Sequence, residues 1–176
     1  MIVEIIILSL VIGKVKKGKI KNLNQIYIRG WYLLIIAFLL EIISLRVFVN
    51  NFSSIQILIY IILIFILLLN INIKGMKTMA IGSILNFIPI IANNGRMPVS
   101  KSALIKAKLH SQLSLLENNK ILTHVLADDS TRLYFLSDII PILKPYPFPK
   151  VISIGDIVLS IGIFLLVQFY MKDINN

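Results

Sequence analysis

No cysteine occurs among the 176 residues. The chain therefore has no disulfide, no thiol nucleophile and no cysteine-ligated metal, and its redox compartment is left open. Charge is also scarce: 15% of residues are charged, against about a quarter in an ordinary soluble domain. Acidic groups are the rarer kind, with 8 Asp and Glu against 18 Lys and Arg. Several catalytic signatures are missing as well. There is no G-x-S-x-G elbow, no glycine-rich phosphate loop, no HExxH and no calcium loop. His110 and His124 lie 14 positions apart, which matches no zinc spacing. These gaps argue against an enzyme and give no reason to expect a metal or cofactor.

What the chain has in abundance is apolar sequence. Hydrophobic residues make up 57% of it and the mean hydropathy is +0.89. They lie in long runs that a core of this size cannot bury, so lipid must solvate much of the surface. The runs cover 2–15, 31–49, 52–73, 76–92 and 151–171. The expected fold is an all-α membrane protein, a polytopic bundle of about five transmembrane helices. The first run is the shortest; at ~1.5 Å per residue it reaches about 20 Å, against a hydrocarbon core near 30 Å. Snorkelling lysines or local thinning of the bilayer would make up the difference. The N-terminus does not read as a cleaved signal peptide, because only Glu4 precedes the lysines that follow its apolar run.

The net charge of +10 is distributed in a way that favours membrane over nucleic acid. Lys14, Lys16, Lys17, Lys19, Lys21 and Arg29 share one connector with no acidic residue, and Lys74 and Lys77 flank another junction. Basic clusters at the ends of apolar spans mark cytoplasmic loops beside anionic lipid. The N-terminus is then outside, the C-terminus cytoplasmic, and 93–150 an extracytoplasmic segment. That segment carries eight Lys or Arg against four acidic residues, which runs against the charge rule, although long segments translocate largely regardless of charge. Within it, Ser100 is placed to cap an amphipathic helix whose Ile105, Leu109, Leu113 and Leu116 share a side, suited to the membrane surface or to packing on the spans. Asn118-Asn119 ends that helix. Pro145, Pro147 and Pro149 predict extended backbone before the last span.

Four stretches carry a resemblance: KNLNQIYIRGWYLL, NNGRMPVS, HVLADDSTRLYFLSDIIP and VISIGD. In that order, and over nearly the whole chain, they resemble an uncharacterised family of small bacterial integral membrane proteins, a domain of unknown function. The family typically has glycine where this chain has Asn94 and Ser137. The resemblance implies a membrane location and a shared extracytoplasmic segment, and no activity.

Candidate sites follow from the cost of polar groups in lipid. Glu4, Glu41, Arg46 and Asp156 are ionisable residues within runs, three of them toward the outer side. One reading is a polar site beneath the outer segment, with Arg46 or Arg96 facing Asp156 or Glu41; the plainer one is snorkelling and helix-to-helix ties. In the turn Asn93-Asn94-Gly95, positive φ is expected, and Met97 before Pro98 must be extended. Exposed amides and Arg96 there would cradle an anion, or the stretch would simply end a helix. Asp128 and Asp129 with Thr131 suit a turn, with Arg132 beside a carboxylate and Asp138 farther on. The expected function is a non-enzymatic protein of the bacterial cytoplasmic membrane. It would bind a membrane-protein partner, lipid or peptide through the outer segment, organised by Arg96, Arg132, Asp138 and Asp156. A small transporter with a polar path along Glu41, Asn86 and Asp156, broken at Pro89, is the alternative. A hydrolase or transferase at the outer leaflet is a third.

Overall fold

The computed structural model describes residues 1–46 and 51–172, without the side chain of Arg46. The expected end of the second run at Val49 and the Arg46 side chain fall outside the described residues. The chain is mostly helical. It runs through α1 (Ile2–Val15), a 3-10 segment (Ile20–Gln25), α2 (Trp31–Arg46), α3 (Phe52–Leu69) and α4 (Met76–Ala92). A cap follows: β1 (Met97–Val99), α5 (Lys101–Lys106), α6 (His110–Glu117), β2 (His124–Leu126), β3 (Ile140–Ile142) and β4 (Lys150–Ile152). The long α7 (Ile154–Met171) closes the chain.

The long helices pack in the spatial order α2, α3, α4, α7, α1, so the last helix in sequence inserts between the fourth and the first. The α4–α7 contact is the most extensive, and small residues allow it. A Cβ placed on Gly82 would lie 2.7 Å from the Gly155 carbonyl oxygen and 2.8 Å from Leu159 Cα. Gly162 meets Met79 in the same way near the other end. Two antiparallel helices thus approach backbone to backbone, a packing that small residues permit. Polar ties hold the end away from the cap. Asn70 accepts from Arg29 N at 2.8 Å and donates to the Arg29 and Ile66 carbonyls at 2.9 and 2.8 Å. Gln168 donates to Ser9 O at 2.7 Å, joining α7 to α1.

By length and composition α3 and α7 are long and apolar enough to cross a membrane, while Trp31–Leu45 and α4 are shorter apolar helices. Only 17% of α3 and 28% of α7 is buried. Phe38, Phe65, Ile161 and Phe169 stand exposed among many other large apolar side chains.

The cap departs from the all-α expectation. β1 pairs in parallel with β2, Met97 opposite His124 and Val99 opposite Leu126. On the other side of β1, Ser100 N donates to Asp138 O at 2.9 Å and Asp138 N to Pro98 O at 3.0 Å. β3 and β4 form an antiparallel pair. Val99, Leu104 and Leu116 are buried together, with Leu109, Leu113, Leu126 and Val151 packed around them. The single helix expected after Ser100 is broken in two. Ser100 does cap it, accepting from Ala103 N at 3.3 Å. Lys108 then turns into the left-handed region at φ 58°, which ends α5 and swings Leu109 back onto the core. The apolar stripe therefore serves the cap's own core, except for exposed Ile105. The expected 52–73 and 151–171 runs are also shortened: turns follow Leu69, and 150–152 is strand before Ser153 caps α7. The proline stretch forms turns and bends instead of extended chain.

Candidate functional site

Where the cap meets the long helices lies a small polar cavity of about 90 Å³. Gln56 and Tyr60, one helical turn apart on α3, form one wall, and Asn86 of α4 with Asp156 of α7 form the next. The cap closes it with Thr123, His124 and Asp138, and Met97 and Ile90 add apolar surface. Local sequence fixes each polar group. Ser153 and Asp156 make a capping box at the start of α7: Asp156 N donates to Ser153 Oγ at 2.9 Å, and Ser153 N to Asp156 Oδ2 at 3.4 Å. Ser153 Oγ donates onward to Asn86 Oδ1 at 2.6 Å, and Asn86 Nδ2 donates to Asp156 Oδ1 at 2.9 Å. This closed triangle orients the Asp156 carboxyl across the helix pair.

Asp138 sits opposite, 7% exposed, with its backbone held by β1. Its Oδ2 lies 3.6 Å from His124 Nε2, while its Oδ1 is buried without a hydrogen-bond partner among the described residues, as is Gln56 Oε1. Burial, with Asp156 adding to it, pushes the Asp138 carboxyl up to about 8. Burial also lowers the His124 pKa, and Asp156 partly opposes that. Thr123 Oγ1 lies 2.7 Å from His124 Nδ1, leaving Nε2 toward Asp138. At neutral pH the pair is thus a protonated carboxyl beside a neutral imidazole. Among the described residues no three of His, Asp and Glu gather closely enough to hold a metal ion.

A second, larger groove of about 530 Å³ opens on the other side of the β1–β2 ribbon. Met97 and His124 face the cavity, while their neighbours Arg96 and Val125 face the groove, as alternation along a strand requires. Arg96, Arg132, Asn94, Asp128, Ser130 and Thr131 supply its polar lining. Asn94 and Gly95 take φ of 56° and 76°, and a Cβ at Gly95 would lie 2.8 Å from Ser53 Cα, so that turn needs glycine twice over. Asn93 joins the turn to the opposite wall: its Oδ1 accepts from Arg132 N at 2.9 Å, and its Nδ2 donates to the Arg132 and Pro89 carbonyls at 2.9 and 2.7 Å. Asp128 accepts from Ser130 N and Oγ at 2.9 and 2.7 Å, which holds its carboxyl below the usual range. Among the described residues neither Arg96 nor Arg132 has an ion-pair partner.

The residues expected to share one site are therefore divided. Asp138 and Asp156 line the cavity, Arg96, Arg132 and Thr131 line the groove, and Pro98 lies in the ribbon between. Arg96 lines neither the cavity nor any wall with Glu41, which sits on α2 away from both chambers. Glu4 pairs with Lys150 and the N-terminal ammonium at the rim of an apolar hollow between α1 and α7. Sequence reasoning missed Gln56, Tyr60 and Thr123, and weighed His124 only as a zinc ligand. Gln56 was the available signal, as the polar residue of an apolar run whose cost in lipid demands a partner.

Comparison with known proteins gives a family and no activity. The chain is 29% identical over 165 residues to an uncharacterised protein of Thermotoga maritima, covering 94% of this chain and 89% of the relative. No solved structure matches significantly. The profile of a family of unknown function, DUF5317, matches residues 19–168, and the chain belongs to that family.

Proposed function

We propose that the chain is a five-span protein of the bacterial cytoplasmic membrane that binds, without catalysing a reaction, an anionic group of a lipid, peptide or membrane partner in the groove of its cap. The observation that carries the reading is the pair Arg96 and Arg132. Two guanidinium groups line one open polar groove and have no carboxylate partner there, while Asp128 is already engaged by Ser130. Planar donor forks left free in this way suit phosphate or carboxylate oxygens. Asn93 holds the two walls at a fixed separation.

Several features support the membrane setting. A soluble core helix is largely covered, whereas most of α3 and α7 is not, and exposed apolar patches of this extent need lipid or a partner. The basic connector meets the C-terminal end of α7, with Lys19 N donating to Met171 O at 2.8 Å and Asn22 Nδ2 to Lys172 O at 2.9 Å. The basic connector and the cap are thus at opposite ends of the helix row, as a cytoplasmic connector and an outer cap require.

Two experiments test this. In the cysteine-free chain, single cysteines at Ser102, Asn119 and Ser130 label from outside intact cells and one at Lys17 does not; the reverse pattern defeats the topology. In detergent micelles, short-chain phosphatidylglycerol and an acidic peptide are titrated against short-chain phosphatidylcholine. The anionic ligands bind, and Arg96→Ala and Arg132→Ala each weaken them about tenfold, the worth of a charge-assisted hydrogen bond. Indifference of the double variant defeats the groove. The transporter reading keeps one support, the meeting of Asn86 with Asp156 in a polar cavity, but Glu41 does not line it. Solute flux into vesicles separates the two.

A further inference from the structure

The cavity beneath the cap is built for an occupant that donates hydrogen bonds. Two buried oxygens, Asp138 Oδ1 and Gln56 Oε1, have no partner among the described residues, and buried acceptors in folded proteins are nearly always paired. Asp156 adds a carboxylate whose known donors, Asn86 and the Ser153 backbone, leave acceptor capacity over. Among the described residues no Lys or Arg lines the chamber, so no fixed cation faces its carboxyl groups. Its volume of about 90 Å³ equals about three waters at roughly 30 Å³ each, which limits an occupant to a few heavy atoms.

We propose that this cavity is a binding site for a small ammonium-type cation, ammonium itself or a short primary alkylammonium, received by Asp138, Asp156 and Gln56. The walls decide between this class and an alkali metal ion. Beside its oxygens the chamber has an aromatic and apolar part, the Tyr60 ring with Ile90 and Met97, which suits an N–H donor carrying a small hydrocarbon part better than a bare metal ion. The groups facing Asp138 that can titrate are His124 from β2, Asp156 from α7 and Tyr60 from α3; α4 supplies only Asn86 and Ile90, and β1 only Met97.

Binding is an exchange. At neutral pH Asp138 holds a proton. An entering ammonium group donates to Oδ1, the O–H bond of the carboxyl breaks, and the proton leaves while the carboxylate stays as the partner of the cation. One positive charge enters and one leaves. His124 offers the route out, since its Nε2 lies 3.6 Å from Asp138 Oδ2 and its side chain is 34% exposed. The site is separate from the arginine groove and does not depend on what the groove binds.

Calorimetry on the full-length protein in detergent micelles tests the assignment. Methylammonium chloride is the probe, with sodium and choline chloride at equal ionic strength as controls, each in two buffers of different ionisation enthalpy. Wild type takes up methylammonium and releases about one proton per cation near pH 7, and close to none above about pH 9. Asp138→Asn weakens binding about tenfold or more and removes the proton release. Gln56→Leu weakens binding but keeps the release. Absence of methylammonium binding to wild type, binding without proton release near pH 7, or equal affinity in Asp138→Asn each overturns the proposal. Equal binding of sodium overturns the ammonium assignment. The wild-type measurements stand even where a variant fails to fold.

Discussion

Replacing Asp138 with Asn changes how stability depends on pH, and the size of the change follows from the cavity. An ordinary aspartate titrates near 3.8, whereas burial raises Asp138 to about 8. Between these values the unfolded chain has lost the proton and the folded chain still holds it. Folding is then linked to proton uptake, so stability falls as pH rises from about 4 to about 8 and levels off above that. At about 1.4 kcal/mol per unit, a window of roughly four units corresponds to on the order of 5 kcal/mol, reduced by whatever water follows the charge into the cavity. Asp128 does not mask this slope, because the Ser130 and Thr131 hydrogen bonds place its titration below the window. The opposite slope of His124, lowered by burial from 6.5, is common to wild type and variant and cancels in their difference. The Asn side chain carries no charge, keeps the shape and removes the slope. Apparent Tm of the purified protein in micelles is measured in steps from about pH 5 to 9, and the wild-type curve falls relative to that of Asp138→Asn by about 10 °C or more. The two variants' curves converge toward acid and part toward alkali. Parallel curves would refute the reasoning, because the slope would then belong to some other group.

Three further outcomes are expected. Gly82→Leu forces α4 off α7, since even its Cβ meets the Gly155 and Leu159 backbone; Gly82→Ala costs about 1–3 kcal/mol, and both lower the yield of monodisperse protein on size-exclusion chromatography. Ser153→Ala removes the cap of α7 and strands the buried Asn86 oxygen, which together lower stability by about 2–4 kcal/mol in a denaturant titration; a loss below about 0.5 kcal/mol contradicts the network. Asn93→Ala breaks two hydrogen bonds between the end of α4 and the turn at Arg132, and a third within α4 to the Pro89 carbonyl. Amide exchange then rises at Arg132 and its neighbours while α7 is unaffected, and uniform protection across both sequences contradicts that link.

The helices were legible where a period or a punctuating residue marked them. Ile2–Val15 and Met76–Ala92 have the extents that their apolar runs announce, because Lys16 and Lys17 end the first and Gly75 and Asn93 bracket the second. The cap was not legible. Met97–Val99 and His124–Leu126 are three residues each, too short to show a period of two, and their pairing is parallel across more than twenty residues. A stripe such as Leu109, Leu113 and Leu116 reads the same whether it lies on lipid or on a neighbouring strand. The candidate site shares that limit. Asp156 was visible as a costly residue in an apolar run and Asp138 as a polar residue of the outer segment, but which of them meets Asn86, and which meets His124, depends on the ribbon that separates Arg96 from Met97. Only the three-dimensional path divides one expected polar surface into an arginine groove and an acidic cavity.

The spatial order of the helices also bears on how the chain is made. α1 leaves the ribosome first, yet the long helix it packs against is α7, the last to be synthesised. Its other ties, Glu4 to Lys150 and Ser9 to Gln168, likewise wait for the final quarter of the chain. Through most of translation the first helix therefore lacks the long helix it packs against, while α2, α3 and α4 can assemble in turn as they emerge. The fold is sealed when α7 slides between α4 and α1 and its glycines seat against Gly82 and Met79. A nascent chain arrested before Ile154 would hold a formed hairpin and an undocked first helix, a state whose exposed apolar surface proteases and chaperones recognise.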